Sequence, residues 1–439
     1  MKHVWIISCL LFVCSCNTVR EDFVVNEDYE KLFPSKEIEK LLLLGGSRYL
    51  VPVIKSAKKL GVYTITADYL PDNIAHKYSN HYENISILDY DALLNYAKRE
   101  SIDGICSFAC DPGVTIAARI AHSLGLPSAG PLESILLLQN KKKFRAFLTE
   151  NHFNVPRAVA VEEGDVIDDK LRDINFPVIV KPTDSAGSKG VSRVDHKEQL
   201  HHAISQAIHF SFEKCCIVEE FIDSYGGTSD SDSFSENGEM KIISFSSQLF
   251  DKTSPNPYVP SAYSFPTSFK PEIQIELSNE IQRLVSLLNL KTSIYNIECR
   301  VSKEGKAYIM ECSPRGGGNR LSEMLKLSQG TDLIENTVRS SLGLPLIPFV
   351  TKRNDFYWSE IILHSNTTGT FSHLYLNDDI KPYIHEIDLW VKSGDKISSF
   401  NGANSTIGTV ICKFPSSSTQ QALMADPSQH INVVVENGK

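Results

Sequence analysis

Ser293-Ile294-Tyr295-Asn296-Ile297-Glu298-Cys299-Arg300-Val301 and, after a short break, Lys306-Ala307-Tyr308-Ile309-Met310-Glu311 decide how this chain is read. Both runs are apolar and strand-like, and Lys303-Glu304-Gly305 between them is turn material, so the pair predicts a β-hairpin. Cross-strand pairing then brings Glu298 and Glu311 side by side. Two carboxylates on adjacent strands repel one another unless a cation lies between them. Magnesium prefers hard oxygen ligands and fills its remaining positions with water and phosphate oxygens. The second strand continues into Cys312-Ser313-Pro314-Arg315-Gly316-Gly317-Gly318. A guanidinium beside such a metal can hold a phosphate through paired hydrogen bonds, and successive glycines let backbone come close to a ligand. A solvent-facing hairpin with unrelated acids has the same local pattern, so the rest of the chain has to decide.

Three upstream segments bear on that choice. Phe176-Pro177-Val178-Ile179-Val180-Lys181-Pro182 reads as a buried strand ending in lysine, followed by Thr183-Asp184-Ser185-Ala186-Gly187-Ser188-Lys189-Gly190-Val191. That presents one ammonium to phosphate, while Gly187 and Gly190 leave backbone N–H groups free to fold over anions. Asn140-Lys141-Lys142-Lys143-Phe144-Arg145-Ala146-Phe147-Leu148 starts a helix, and Asn154-Val155-Pro156 follows it. Cys216-Ile217-Val218-Glu219-Glu220-Phe221-Ile222-Asp223 reads as an extended strand. Taken singly, an exposed basic cluster or a buried strand ending in acids would look the same.

In this order the segments resemble the ATP-grasp ligases of the carboxylate-amine type, relatives of carbamoyl-phosphate synthetase large chains and biotin carboxylases. The resemblance runs from about residue 38 to residue 435. It implies that Lys141 and Lys181 contact the phosphates, and that Ser185, Gly187, Ser188 and Gly190 belong to a mobile loop over them. Glu219, Glu220, Phe221 and Ile222 would hold adenine, with Glu219 near the exocyclic amine and the Phe221 and Ile222 backbone on the ring edge. Glu298, Glu311 and Ser313 would hold the metal, and Arg315 with Lys181 would act in catalysis. ATP and Mg2+, with Mn2+ as a substitute, are the implied cofactors. Ser313 stands where the family carries asparagine, which implies weaker metal coordination, and no glutamate stands ready for the ribose hydroxyls, leaving Thr228 or Asp230 for them. The implied reaction activates a carboxylate with the γ-phosphoryl of ATP, after which an amine attacks and ADP and phosphate leave. The alternatives are a bicarbonate-using enzyme of the carbamoyl-phosphate synthetase or biotin carboxylase kind, with Arg320 serving bicarbonate, and a nucleotide-binding module without turnover.

The expected fold is α/β and α+β multidomain. Lys40-Leu41-Leu42-Leu43-Leu44 runs into a Gly45-Gly46 turn, Val51 to Leu60 has helical spacing, and strands at Val62–Asp68 and Ile102–Phe108 flank a helix from Tyr90 to Glu100. This alternation argues a doubly wound, Rossmann-like pre-ATP-grasp domain at 37–130. A two-lobed ATP-grasp domain follows at 131–345 and a small β-rich C-terminal domain at 346–439, with strands at Phe356–His364, Ile387–Val391 and Thr406–Phe414. Ser47, Arg48 and Asp111 are the polar candidates on the N-terminal side of the acceptor site. The stretch from Phe250 to Tyr263, with its prolines and aromatics, reads as an ordered loop that sets specificity.

With 44 basic and 53 acidic residues the net charge is −9, so a nucleic-acid partner has no electrostatic footprint. Small-molecule carboxylate and amine substrates are the expected partners, and a homodimer is the assembly that the resemblance suggests. The ten cysteines lack metal-ligand spacing and read as buried reduced thiols. Cys299 and Cys312 each follow a metal glutamate, so strand alternation turns them away from the site. His201-His202 are neighbours on a helix and read as exposed. Residues 1–20 have the form of a leader, with Val13-Cys14-Ser15-Cys16 approximating a lipoprotein cleavage box. A membrane enters only through that segment: a cytoplasmic product is favoured by the nucleotide chemistry, and a lipid-anchored envelope protein follows if Cys16 is lipidated.

Overall fold

After Lys40 the run Leu41-Leu42-Leu43-Leu44 contains no polar side chain, which suits a strand covered on both faces. The computed structural model describes residues 38–185, 187–350 and 355–436, so the leader-like segment and Cys16 lie outside the described residues. The described residues from Glu39 onward form one compact unit. In it β1 (Lys40–Leu44) lies in a parallel sheet with β2 (Tyr63–Ala67), β3 (His81–Glu83) and β4 (Gly104–Ser107), in the order β3-β2-β1-β4. Leu41 and Leu43 pack with the helices Val51–Lys59 and Leu333–Ser341, while Leu42 and Leu44 pack with Tyr90–Glu100 and Asp111–Leu124. The helix Asp111–Leu124 starts at the carboxyl end of β4, which aims Asp111 toward the middle of the molecule.

β5 (Ala158–Glu162), β6 (Val178–Pro182), β7 (Ser192–Val194) and β8 (Cys215–Glu220) form an antiparallel sheet in the order β5-β8-β6-β7. The expected strand before the glycine loop is therefore β6, and the helix Leu200–His209 covers the sheet with His201 and His202 exposed.

Residues 228–313 contribute β9 (Thr228–Glu236), β10 (Glu239–Ile242), β11 (Ser247–Phe250), β12 (Pro260–Phe265), β13 (Ser293–Val301) and β14 (Ala307–Ser313). Four of these make the sheet β10-β9-β13-β14, so the expected hairpin is present as β13 and β14. Its inner face buries Ile297, Cys299, Val301, Ile309 and Cys312 against the helix Pro271–Leu287. The loop expected at Phe250–Tyr263 is shorter than that. Pro260 opens strand β12, a position where proline breaks no ladder bond, and Ser261 to Phe265 are almost fully buried between two partner strands.

The last strands are β15 (Tyr357–Leu363), β16 (Gly369–Leu376), β17 (Ile384–Leu389), β18 (Lys396–Ile397), β19 (Gly408–Phe414) and β20 (Ile431–Glu436). They form a three-stranded sheet β18-β16-β20 and, with β11 and β12, a five-stranded sheet β11-β12-β15-β19-β17. Hydrogen bonds between β12 and β15 thus cross the expected boundary at 345. The whole is a mixed α/β structure, and among the described residues no helix is long and apolar enough to cross a membrane.

Candidate functional site

The hairpin register sets Glu298 directly opposite Glu311, and Asp230 on β9 opposite Glu298 on its other side. Alternation along β13 puts Asn296, Glu298 and Arg300 on one face. All of these side chains line a cleft of about 820 Å³, within the range of small-molecule sites. Burial, then Glu298 and Asp232, push the Asp230 carboxyl up to about 7. Among the described residues no three His, Cys, Asp or Glu side chains converge as a closed metal cage. Two facing carboxylates open to a cleft are instead the donor set of a cation that keeps water and phosphate oxygens, as magnesium does.

Cationic side chains face these acids. The helix Lys141–Glu150 is capped by Asn140, whose side-chain oxygen accepts from the Lys143 N–H, and the Lys141 N–H donates to the Thr183 carbonyl at the end of β6. Lys141 Nζ is thereby held 3.3 Å from Glu311 Oε1 and 3.2 Å from the Ser185 carbonyl. Burial disfavours its charge, but Glu311 and Asp111 outweigh that and raise its pKa. Lys142 points outward to Glu162, and Lys143 is exposed. Lys181 Nζ is 2.8 Å from Glu219 Oε2, and Glu219 Oε1 is 2.7 Å from Arg145 Nε. Glu219 is fully buried, yet Arg145 and Lys181 overcome the cost of burial and bring its carboxyl down to about 2.

The sequence reading set the Glu219 carboxylate beside adenine; the structure commits it to Lys181 and Arg145. Glu220 lines the cleft, and its carboxylate accepts from the Asn175 N–H and side-chain amide. The Phe221 N–H donates to the Pro177 carbonyl, and the Ile222 carbonyl accepts from Arg300. Among the described residues the Phe221 carbonyl and Ile222 N–H have no such partner, leaving one acceptor and one donor at the cleft edge. The Phe221 ring lies under the Arg193 guanidinium, 4.4 Å from its centroid.

In the glycine loop Ser185, Gly187 and Ser188 line the cleft, whereas Gly190 packs against Phe210 and Pro182. A Cβ on Gly190 would come within 2.9 Å of the Phe210 ring, and its φ of 69° is itself unfavourable for other residues. Ser188 Oγ donates to the Tyr258 carbonyl, and Asn256 bridges the Ser188 and Asn401 carbonyls.

One expectation is corrected beside Arg315. Ser313 does not line the cleft: it is 1% exposed, and its hydroxyl donates to Asp111 Oδ1 at 2.9 Å and accepts from Gln139 at 2.8 Å. It shares the strand face of Glu311, two residues before it and opposite Asn296, but Asp111 and Gln139 take up its hydroxyl. Arg315 does line the cleft, but Asp111 takes its Nε and Nη2 at 2.8 Å each, and Nη1 donates to Asn296 Oδ1 and the Gly316 carbonyl. Four of its five N–H groups are thus engaged, leaving one for a ligand. Arg315 and Ser313 hold the Asp111 carboxyl below its usual value in spite of burial. Gly316 packs against Phe108, where a Cβ would lie 2.2 Å from a ring carbon.

Of the acceptor-side candidates only Asp111 lines the cleft; Arg48 stacks over Trp390 at 5.0 Å, and the neighbouring Tyr49 lines the cleft instead of Ser47. Tyr49 donates to Asn319 Oδ1 at 3.0 Å, and Asn319 donates to the Tyr263 hydroxyl at 3.3 Å. Thr228 is buried and donates to the Gln248 carbonyl, which leaves Asp230 as the cleft residue of that pair. Asn296, Tyr49 and Asn319 were not expected from the sequence, whereas Tyr263 ends the stretch expected to set specificity; of the three, Asn296 carried a signal, lying two residues from Glu298 on the same strand face.

A family model for the ATP-grasp domain matches residues 174–323, which hold the glycine loop, β8, Asp230, both glutamates and Arg315. The chain carries an ATP-grasp domain. The carbamoyl phosphate synthase large chain of Caldanaerobacter subterraneus subsp. tengcongensis is 24% identical over 307 residues, 67% of this chain and 27% of that one, so the chain spans about a quarter of that relative's length. The D-alanine--D-alanine ligase of Clostridium beijerinckii is 24% identical over 242 residues, 51% of this chain and 75% of the relative. The crystal structure of the L-amino acid ligase from Bacillus licheniformis superposes with a TM-score of 0.75 at 19% identity, covering 91% of this chain and 99% of that one. The likeness of fold to that ligase therefore extends over nearly the whole described chain.

Proposed function

We propose that this chain is an ATP- and magnesium-dependent ligase that activates a carboxylate as an acyl phosphate and couples it to an amine, releasing ADP and phosphate. The convergence of Lys141, Lys181, Glu298 and Glu311 on one cleft carries the reading. Glu298 and Glu311 would hold magnesium, which, when bound, neutralises charge on the phosphate oxygens. Lys141 and Lys181 would offset the remaining charge, with Lys181 fixed by Glu219. The Phe221 carbonyl and Ile222 N–H are offered to adenine. Ser185, Gly187 and Ser188 would cover the phosphates and keep water from the acyl phosphate. The substrate carboxylate oxygen attacks the γ-phosphorus as the bond to ADP breaks; the amine nitrogen then attacks the acyl carbon, loses a proton, and phosphate leaves. Arg315, steadied by Asp111, would turn its remaining N–H to the reacting carboxylate.

We assign residues 37–130 to a Rossmann-like pre-ATP-grasp domain, 131–345 to the ATP-grasp domain and 346–439 to a β-rich C-terminal portion sharing a sheet with it. The bicarbonate alternative assigned the acid to Arg320, but that guanidinium is engaged with Glu323 and Glu386, which favours the amine ligase. A nucleotide-consuming reaction fits a cytoplasmic location, and a homodimer is the assembly to look for by light scattering. The test is ADP and phosphate release with magnesium across pooled carboxylates and amines, bicarbonate being controlled separately. Release that requires one acid and one amine is the expected result. Release with bicarbonate alone, or nucleotide binding without release across the panel, would overturn the assignment.

A further inference from the structure

Behind the cleft wall at Tyr263 lies a buried carboxyl group. Glu360, in the middle of β15, is fully buried, and neither carboxylate oxygen has a hydrogen-bond partner. Its cross-strand partner on β12 is Tyr263, which lines the cleft. Tyr49 lines the cleft as well, and Glu360 acts on both phenols, adding to the burial that raises their pKa values. Its own carboxyl is raised by burial, an effect that the nearby Arg320 opposes without cancelling.

The two guanidiniums at this end are committed elsewhere, Arg315 to Asp111 and Arg320 to Glu323 and Glu386. Arg320 and Asn319 are both left-handed, with φ of 55° and 50°, which is strained for residues with side chains and fixes Asn319 between Tyr49 and Tyr263. Asp230, bonded to Tyr263 and Asn296, adds a second carboxylate along the approach. A carboxyl sealed from water without a partner avoids the cost of charge by holding its proton, and a positive group reaching it would favour the ionised form.

Resting on the ligase reading, we propose that the amine substrate carries a second, non-reacting ammonium and that Glu360 is its receptor, so that the substrate class is diamines and amino acids with a basic side chain. The reacting nitrogen must be unprotonated to attack, so it cannot be the lasting counter-charge; the second ammonium can. A substrate tail ending in a carboxylate would find no matching partner there, since both guanidiniums at this end are already paired.

The test is calorimetric titration of the full-length protein, with magnesium and a non-hydrolysable ATP analogue, using two matched pairs: L-lysine against L-norleucine and 1,4-diaminobutane against n-butylamine. The cationic member of each pair should bind at least about tenfold more tightly. Glu360→Gln should reduce that preference to below about twofold while the analogue still binds, and Glu360→Asp should restore part of it. Equal binding of both members to the wild type overturns the inference without recourse to a variant, and so does a preference that survives Glu360→Gln. Failure of the analogue to bind the wild type overturns the ligase reading and this inference with it, whereas analogue binding without cation preference removes the inference alone.

Discussion

Glu219→Gln removes the negative charge that holds Lys181 under the cleft. Glu219 is fully buried, 2.7 Å from Arg145 Nε and 2.8 Å from Lys181 Nζ. Burial raises its carboxyl, Arg145 and Lys181 lower it, and the result falls from 4.5 to about 2. The folded-state value is the depressed one, so the stability this group supplies is complete above the unfolded value of 4.5 and is lost as pH falls toward about 2. A depression of that size corresponds to roughly 3 kcal/mol at neutral pH. Removing one partner of a buried ion pair costs about 3–5 kcal/mol, so the two routes agree. Urea unfolding followed by circular dichroism should therefore show Glu219→Gln less stable by about 3 kcal/mol at pH 7. Glutamine resembles the protonated acid. The gap to wild type should stay constant down to about pH 5 and close as the carboxyl protonates below that. A variant as stable as wild type at pH 7, or a gap of full size at about pH 3, would refute the assignment of this charge.

Lys181→Ala and Glu311→Gln should each lower ATP turnover by about a thousandfold or more with an unchanged circular dichroism spectrum, and near-normal ADP release in either would remove the phosphate and metal roles. Ser313→Asn should not tighten magnesium binding, because its side chain sits between Asp111 and Gln139; the larger residue should cost about 1–3 kcal/mol of stability, read by thermal unfolding beside a magnesium titration with nucleotide present. Asp111→Asn should leave Arg315 poorly anchored and lower kcat/KM for the acid substrate by about 10- to 100-fold, while nucleotide affinity measured by titration changes little.

The parts of the site legible in the sequence are those whose partners lie nearby. Glu298 and Glu311 could be paired because both strands and the turn between them fall within one short stretch, and register in the resembling helix favours Lys141 over Lys142 and Lys143. The position of Ser313 could not be read that way, since its partner Asp111 lies 202 residues earlier, on another sheet's helix. Glu219 misled for a related reason: a strand ending in two acids gives no sign that Arg145 comes from a distant helix to meet the first of them. Glu360 is hidden more deeply. Trp358-Ser359-Glu360-Ile361-Ile362-Leu363 reads as a strand with one solvent-facing acid, and only the crossing of β15 beside β12 buries it. The prolines at 255, 257 and 260 concealed β12, because a proline that opens a strand looks the same in sequence as one that prevents it.

The hydrogen bonds between β12 and β15 make the boundary at 345 a division of the polypeptide and not of the molecule. Tyr263 on β12 lines the cleft, so a fragment ending there would leave one of the cleft's own strands with a bare row of peptide groups, an edge ready to pair with any passing strand. Duplication or exchange of the C-terminal portion alone would meet that obstacle, and the cleft and its β-rich neighbour are bound to be inherited together.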